Sequence, residues 1–499
     1  MNNEKATNGI ERTFLGHPRG LMYLFFSEMW ERFCYYGMRG LLILYLTKTL
    51  LVGDTESKLI YGAYTALVYA APVLGGRLAD RYLGYKNAVI LGGILMAIGE
   101  FLILGGGQNF LLLGMAAIIV GNGYFKANIS TIVGKLYKDG DTRRDSGFTI
   151  FYMGINIGAL LATTVVAEVG YKYGYEYGFA LAGIGMIAGI IIFVIGGKDY
   201  KKEAAPSNPE LLNKKILGPL TWFHTIVVGS LLAIPLLYIL LSHNTIVGWL
   251  LAGTAIYVVS SLIIAGAKEG KIWLHRMIAL VIMMLLNVVF WACFEQAGTS
   301  LTLFADTNIN RVILGWEMGA ATTQFFNPAF ILLFGSVFSL LWVTLAKRGK
   351  NPNIPAKFGF GLIQLGLGYT IVLLGFQFVS ADYLLPIWTL VFMYMLHTTG
   401  ELFISPIGLS MVTKLAPSHM TGTAMGGWFL SWAGANFVAA WLATLTGSSE
   451  EVGEVAMTAS ESLNNYVDVY SNMGFITIGV GLLVLILSTQ INKLFHGVK

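Results

Sequence analysis

The stretch Glu28-Met-Trp-Glu31-Arg32-Phe-Cys-Tyr35-Tyr36-Gly-Met-Arg39 sets two carboxylates, two guanidinium groups and two phenols in an otherwise apolar segment. At about 100° per residue, positions 28, 31, 32, 35 and 39 fall on one helical face, with Tyr36 at its margin. Farther along, ionisable residues interrupt apolar runs at Lys126 (GNGYFKANIS), Glu295 (WACFEQAG) and Glu401 (HTTGELFISP). Such a side chain at bilayer depth costs roughly 2.5 kcal/mol or more, so these groups must face each other or a ligand, away from lipid. The cations Arg32, Arg39 and Lys126 lie in the first half of the chain, and the anions Glu295 and Glu401 in the second. A cationic wall facing an anionic wall suits a zwitterion with its charges separated by a short chain. A di- or tripeptide meets that description, because its termini lie about 6–10 Å apart at ~3.3–3.6 Å per residue. The aromatics Tyr35, Tyr36, Tyr69, Trp291 and Trp428 would enclose varied side chains through their apolar faces while offering polar tips. Gly400 and Pro406 flank Glu401 and disturb its helix, a pattern common at sites that line a passage.

The elements that must position these groups are membrane spans. The chain has 499 residues, 56% hydrophobic and 12% charged, too apolar for a soluble protein of ordinary composition. Apolar runs suggest fourteen spans, from 21–50 to 469–492, each near or above the ~20 residues needed to cross a bilayer. The N-terminus lacks the pattern of a cleaved signal peptide, so the first helix directs insertion. The net charge of +5 reflects topology, not nucleic-acid binding. With the N-terminus cytoplasmic, only Lys48, Lys58, Lys172 and Arg311 fall outside, and most other cations fall in cytoplasmic segments, placing both termini in the cytoplasm. Cys34 and Cys293 sit in apolar stretches and suggest neither a disulfide nor a metal site.

The organisation reads as a six-helix bundle at 1–197, a charged linker at 198–216, an inserted hairpin at 217–267 and a second six-helix bundle at 268–499. Removing the hairpin leaves six plus six helices, the layout of two bundles that alternately open a central site. The acidic segment 447–468 is expected to be a solvated outer loop. Glu100 and Glu168 lack an obvious cationic partner in sequence and are expected to be structural. Asp80 and Arg81, in GGRLADRYLGYK, are either an ion-pair gate or simple topogenic charge.

Several segments resemble the proton-dependent oligopeptide transporter family of the major facilitator superfamily. The pattern ExxERFxYYG is met by Glu28, Glu31, Arg32, Phe33, Tyr35, Tyr36 and Gly37, and FTIFYMGINIGAL runs from Phe148 to Leu160 with Asn156 inside it. FKANIS around Lys126, FEQAGTSL around Glu295 and the GGRLADRYLGYK loop add to the likeness, and the hairpin resembles the extra pair of bacterial members. The resemblance implies an all-α membrane protein that imports di- and tripeptides with protons through the bacterial cytoplasmic membrane. It implies a monomer without a cofactor, driven by the proton gradient. It also implies that Arg32 and Lys126 receive the peptide carboxylate, and that Glu401 with Asn156 and Asn327 receives the amino terminus. Glu28, Glu31 and Arg32 would form a proton-responsive cluster, and Glu295 would pair with Lys126 when deprotonated.

Rival readings are a carrier of another anion such as nitrate, and a drug exporter of the same superfamily. The amine-seeking Glu401 argues against the first, and the cationic wall against the second. An enzyme or channel would call for a nucleophile–base arrangement, metal-ligand spacing or a phosphate-binding loop, none of which the chain contains.

Overall fold

The computed structural model describes residues 13–138, 140–206, 208–405, 408–447 and 457–498. Apolar helices dominate it because a backbone crossing lipid must satisfy its own hydrogen bonds. The first bundle comprises α1 (Gly20–Leu44), α2 (Asp54–Leu78), α3 (Gly84–Ile103), α4 (Gly107–Lys135), α5 (Arg144–Leu161) and α6 (Tyr175–Gly196). The hairpin is α7 (Trp222–Ser242) and α8 (Asn244–Glu269). The second bundle follows as α9 (Lys271–Phe294), α10 (Phe326–Lys347), α11 (Ile354–Phe376), α12 (Trp388–Ile404), α13 (Thr421–Thr444) and α14 (Ala459–Lys493). These fourteen helices match the expected spans. The face bearing the α6–α7 connection is called the linker face below, and the opposite one the far face.

Ten helical stretches among the described residues, one of them α2 and α3 joined end to end, are long and apolar enough to cross a membrane. α1, α12 and α13 fall outside that set. α1 is too charged, and its Glu28, Glu31, Arg32 and Arg39 are all buried against neighbouring helices. Two helices are interrupted at the centre of the molecule. α9 gives way to a 3-10 turn at Glu295–Gly298 before helix resumes at Ser300–Asn308, and α12 stops at Ile404 and resumes at Gly408–Leu415. Pro406, the expected breaker of α12, lies outside the described residues.

The helices pack through glycine. α3 and α4 meet where a β-carbon on Gly92 would lie 2.5 Å from the Gly121 carbonyl, and α11 and α14 meet where one on Gly366 would lie 2.6 Å from the Gly474 carbonyl. Small residues let backbones approach this closely, which is how helices associate when lipid competes for every apolar surface. Across the bundles, α2 meets α13 at Gly62 and Ala440.

One expectation needs correction. The segment 447–468 is not loop throughout, because α14 begins at Ala459. Its start is fixed by a capping box in which Thr458 Oγ1 accepts from Glu461 N and Glu461 Oε2 accepts from Thr458 N at 2.8 Å. Glu450, Glu451 and Glu454 lie outside the described residues. The segment between α6 and α7 packs on the first bundle: Lys86 N donates to Ala204 O at 2.9 Å, Asp199 lies 4.0 Å from Arg19, and Tyr200 is buried.

The adjacent glycines of α2 offer a test of the packing. A β-carbon at Gly75 would overlap the Gly123 backbone, whereas one at Gly76 meets only Ala127 at 3.8 Å. Gly75→Ala is expected to cost about 1–3 kcal/mol, the usual penalty of overpacking, and Gly76→Ala close to nothing. Thermal unfolding of the two variants in detergent measures the contrast.

Candidate functional site

A cavity of about 620 Å³ lies between the bundles. α1 contributes Glu28, Arg32, Tyr36 and Arg39, and Tyr69, Lys126 and Asn156 come from α2, α4 and α5. The opposing wall carries Trp291 from α9, Glu295 from the turn that follows it, Asn327 from α10, Glu401 from α12 and Trp428 from α13. The structure therefore gathers twelve of the expected site residues around one space.

Glu31 and Tyr35 stand apart. The cavity sees the α1 face centred on Arg32 and Tyr36, which turns positions 31 and 35 into the first bundle. Glu31 is fully buried and accepts from Asn122 Nδ2 at 3.0 Å, and Tyr35 is fully buried beside Tyr36, its ring 5.3 Å away. The expected face was drawn too wide on one side. Tyr36, placed at the margin, lines the cavity, and Tyr35 does not.

The charges inside pair in a definite pattern. Arg32 Nε donates to Glu28 Oε1 at 2.7 Å and lies 3.1 Å from Glu31 Oε2, so one guanidinium serves two carboxylates. Arg39 donates to Tyr61 Oη at 2.7 Å and forms an ion pair with Glu295, whose carboxylate sits at the break of α9. The expected Lys126–Glu295 pair is therefore absent here, because Arg39 holds that carboxylate. Lys126 Nζ instead lies 4.0 Å above the Tyr69 ring, a cation–π contact, and has no carboxylate partner among the described residues. Glu401 is held by neutral donors, Asn327 Nδ2 at 3.0 Å and the Ser405 side chain. Asn156 donates to its own helix at Tyr152 O. Among the described residues, pairing thus leaves Lys126 and Glu401 on opposite walls without a charged partner. Two buried atoms beside them, Trp291 Nε1 and Glu28 Oε2, also lack a hydrogen-bond partner. Buried polar groups are rarely left so.

The cavity is closed toward the far face. Above the Arg39–Glu295 pair, Lys48 Nζ reaches Asp306 Oδ2 at 2.8 Å. Glu168 Oε1 accepts from Gly319 N at 2.8 Å and Thr322 Oγ1 at 2.7 Å, and Lys58 Nζ donates to Thr446 Oγ1 at 3.4 Å. Each of these contacts joins the two bundles. Toward the linker face the lining continues through Ser130, Ser405 and Gly408.

Glu168 is thus a far-face latch, with Lys172 3.8 Å away as the cation one helical turn on. Glu100 is fully buried, with Cys34 Sγ 3.4 Å from its Oε1. Sequence reasoning missed Trp432, which lies 4.0 Å from Trp291 and stacks on Tyr69 at 5.6 Å, so that aromatic rings cross from one bundle to the other. The signal was present: Trp432 follows Trp428 by four residues and shares its helical face. Tyr61, Tyr152 and Asn122 gave no such signal. A second cavity of about 630 Å³, between α8, α9 and α13, has an apolar lining and none of these charges.

Comparison with known proteins follows this geometry. The family model described as POT family matches residues 86–462. "Uncharacterized transporter YclF" of Bacillus subtilis is 36% identical over 100% of this chain and 99% of its own length. "Dipeptide and tripeptide permease B" of Salmonella typhimurium is 32% identical over 99% of each. Among solved structures, the "peptide transporter POT in complex with sulfate" has a TM-score of 0.80 and 34% identity over 97% of both chains. A bacterial homologue of the human drug peptide transporters PepT1 and PepT2, at a TM-score of 0.81 and 23% identity, shares the fold.

If Lys126 receives a carboxylate, Lys126→Ala should weaken binding of a zwitterion such as dialanine by about 2 kcal/mol, near thirtyfold. The residual affinity of its C-terminal amide should change little. Calorimetric titration of both ligands makes the comparison, and equal losses would remove the carboxylate assignment.

Proposed function

This chain belongs to the POT family, and from that membership we propose that it is a proton-coupled symporter carrying di- and tripeptides inward by alternating access. The observation that carries the reading is the pairing pattern: Lys126 and Glu401 are left without charged partners on opposite walls, beside a lock made by Arg39 and Glu295. A peptide supplies the missing charges. Its carboxylate meets Lys126 and Arg32, and its ammonium meets Glu401, with Asn327 and Asn156 at hand. Tyr36, Tyr69, Trp291 and Trp428 enclose side chains through apolar faces that discriminate weakly, which suits a carrier of many peptides.

The lock supplies the coupling. With Glu295 ionised, the Arg39 pair ties the bundles near the far face; a proton on Glu295 removes that attraction and frees the far face to open. Arg39 is then left to Tyr61. Once the far face has closed behind the substrate, loss of the proton on the other side restores the pair and holds that face shut. Glu28, Glu31 and Arg32 form a second proton-responsive group, because one guanidinium shared by two carboxylates leaves an excess negative charge that a proton would relieve. No cofactor takes part, since the driving force is the proton gradient. Inward movement of one positive charge gains about 2.3 kcal/mol per 100 mV, enough for tens-fold accumulation.

The placement of lysines and arginines supports a linker face and termini in the cytoplasm of a bacterial cell, with the protein in its cytoplasmic membrane. The described cavity then faces inward. A single chain contains the whole site, which supports function as a monomer.

Two measurements test this reading. Proteoliposomes with an inward proton gradient should accumulate labelled dialanine; accumulation of nitrate with no uptake of any small peptide would overturn it. Glu295→Gln should lose concentrative uptake by tenfold or more yet retain counterflow exchange, whereas equal loss of both would make Glu295 merely structural.

A further inference from the structure

The two helices of the hairpin hold to different bundles. α7 is fixed to the first bundle along its whole length: Trp222 stacks on Tyr82 at 4.3 Å, Ser230 shares a 2.8 Å hydrogen bond with Tyr124, and Tyr238 donates to Asn109 at 2.9 Å. The segment leading into α7 lies on the same bundle through Ala204 and Asp199. α8 is fixed to the second bundle. A β-carbon on Gly248 would touch Phe437 at 2.7 Å, one on Gly427 of α13 would touch Val258 at 2.8 Å, and Glu269 lies 3.9 Å from His419. Gly270, at φ +106°, then turns α8 directly into α9 in a conformation that favours glycine.

The chain therefore leaves the first bundle and enters the second at one place, the His243 turn on the far face. That turn is a single residue between Ser242 and Asn244, closed by His243 N donating to Ile239 O at 3.0 Å and Ile246 N donating to His243 O at 2.9 Å. Consecutive Cα atoms are about 3.8 Å apart, so the helix tips cannot part there. Away from the turn, no hydrogen bond or ring contact joins α7 to α8 among the described residues.

We propose that the hairpin is a strap across the seam between the bundles: α7 moves with α1–α6, α8 moves with α9–α14, and the His243 turn is the pivot. It rests on the alternating-access reading. When the bundles rock, the tips stay together while the linker-face ends of α7 and α8 spread or close. In the described state the far face is shut, and no hydrogen bond or ring contact joins those ends among the described residues. When the far face opens, they draw together.

Spin-label pairs in the full-length protein in nanodiscs test this, at exposed positions that leave the buried Cys34 and Cys293 in place. Phe223 with Ile264 spans the linker-face ends of α7 and α8, and Tyr173 with Leu314 spans the bundles at the far face. Leu236 with Gln108 and Trp249 with Trp441 report whether each helix stays on its own bundle. Between neutral pH without peptide and acidic pH with dialanine, the Tyr173–Leu314 distance should lengthen and the Phe223–Ile264 distance shorten. The other two pairs should hold still. A constant Phe223–Ile264 distance while Tyr173–Leu314 lengthens would overturn the strap alone, as would movement within either control pair. A Tyr173–Leu314 distance fixed under all conditions would sink alternating access, and the strap with it. A bifunctional maleimide joining cysteines at 223 and 264 should cut uptake at least tenfold, while one joining 236 and 108 should leave it unchanged; equal effects would count against the pivot.

Discussion

Charge held out of water must find a partner, and this one constraint arranges the centre of the molecule. α1 would be a poor membrane helix on its own, because it buries Glu28, Glu31, Arg32 and Arg39. It is tolerable because Arg32 serves two carboxylates and Arg39 reaches across to Glu295. The same rule applied to the whole cavity exhausts the internal pairs and leaves Lys126 against an aromatic ring and Glu401 against an amide. A cation over a ring is stabilised less than a cation beside a carboxylate, so a ligand with an anionic end offers Lys126 a better partner than the protein does. Lys126 and Glu401 are thus the least satisfied charges of the cavity.

The ion pair that satisfies Glu295 also closes one side of the cavity. A group with both duties cannot change its protonation without changing the barrier, and the proposed mechanism of coupling rests on that. The outer contacts of Lys48, Glu168 and Lys58 strengthen the closure without touching the binding walls. Their strength therefore adjusts the balance between the two open states, leaving the recognition of ligand to other residues.

Much of this was legible in the sequence, for identifiable reasons. Helical spacing placed Glu28, Arg32 and Arg39 on one face because their relation is local, and hydropathy located the spans because lipid demands apolar length. The partner of Glu295 was not legible. Arg39 and Lys126 are both cations on the facing bundle, and which of them takes the carboxylate depends on how the bundles are tilted at that moment. The orientation of α1 was blurred for a similar reason: a stripe that includes Glu31 and Tyr35 is wider than the cavity, and only Asn122 on α4 reveals which edge turns inward. Trp432 carried a readable four-residue spacing. Tyr61 did not, since one phenol in a membrane helix says nothing of the guanidinium it will meet. The start of α14 was hidden by composition, because acidic residues that look like loop also cap helices.

The break in α9 divides that helix into parts with different mechanical character. The nine residues Ser300–Asn308 join the rest through the turn Glu295–Gly298 and carry Asp306, the far-face anchor of Lys48. That segment rests on α14, through Phe304 against Tyr466 and Tyr470 and through Asn308 bonded to Ala459 and Ser462, and makes none of the glycine contacts that bind α3 to α4 and α11 to α14. The residue that ties the far face to the first bundle therefore rides on a short arm braced by the last helix.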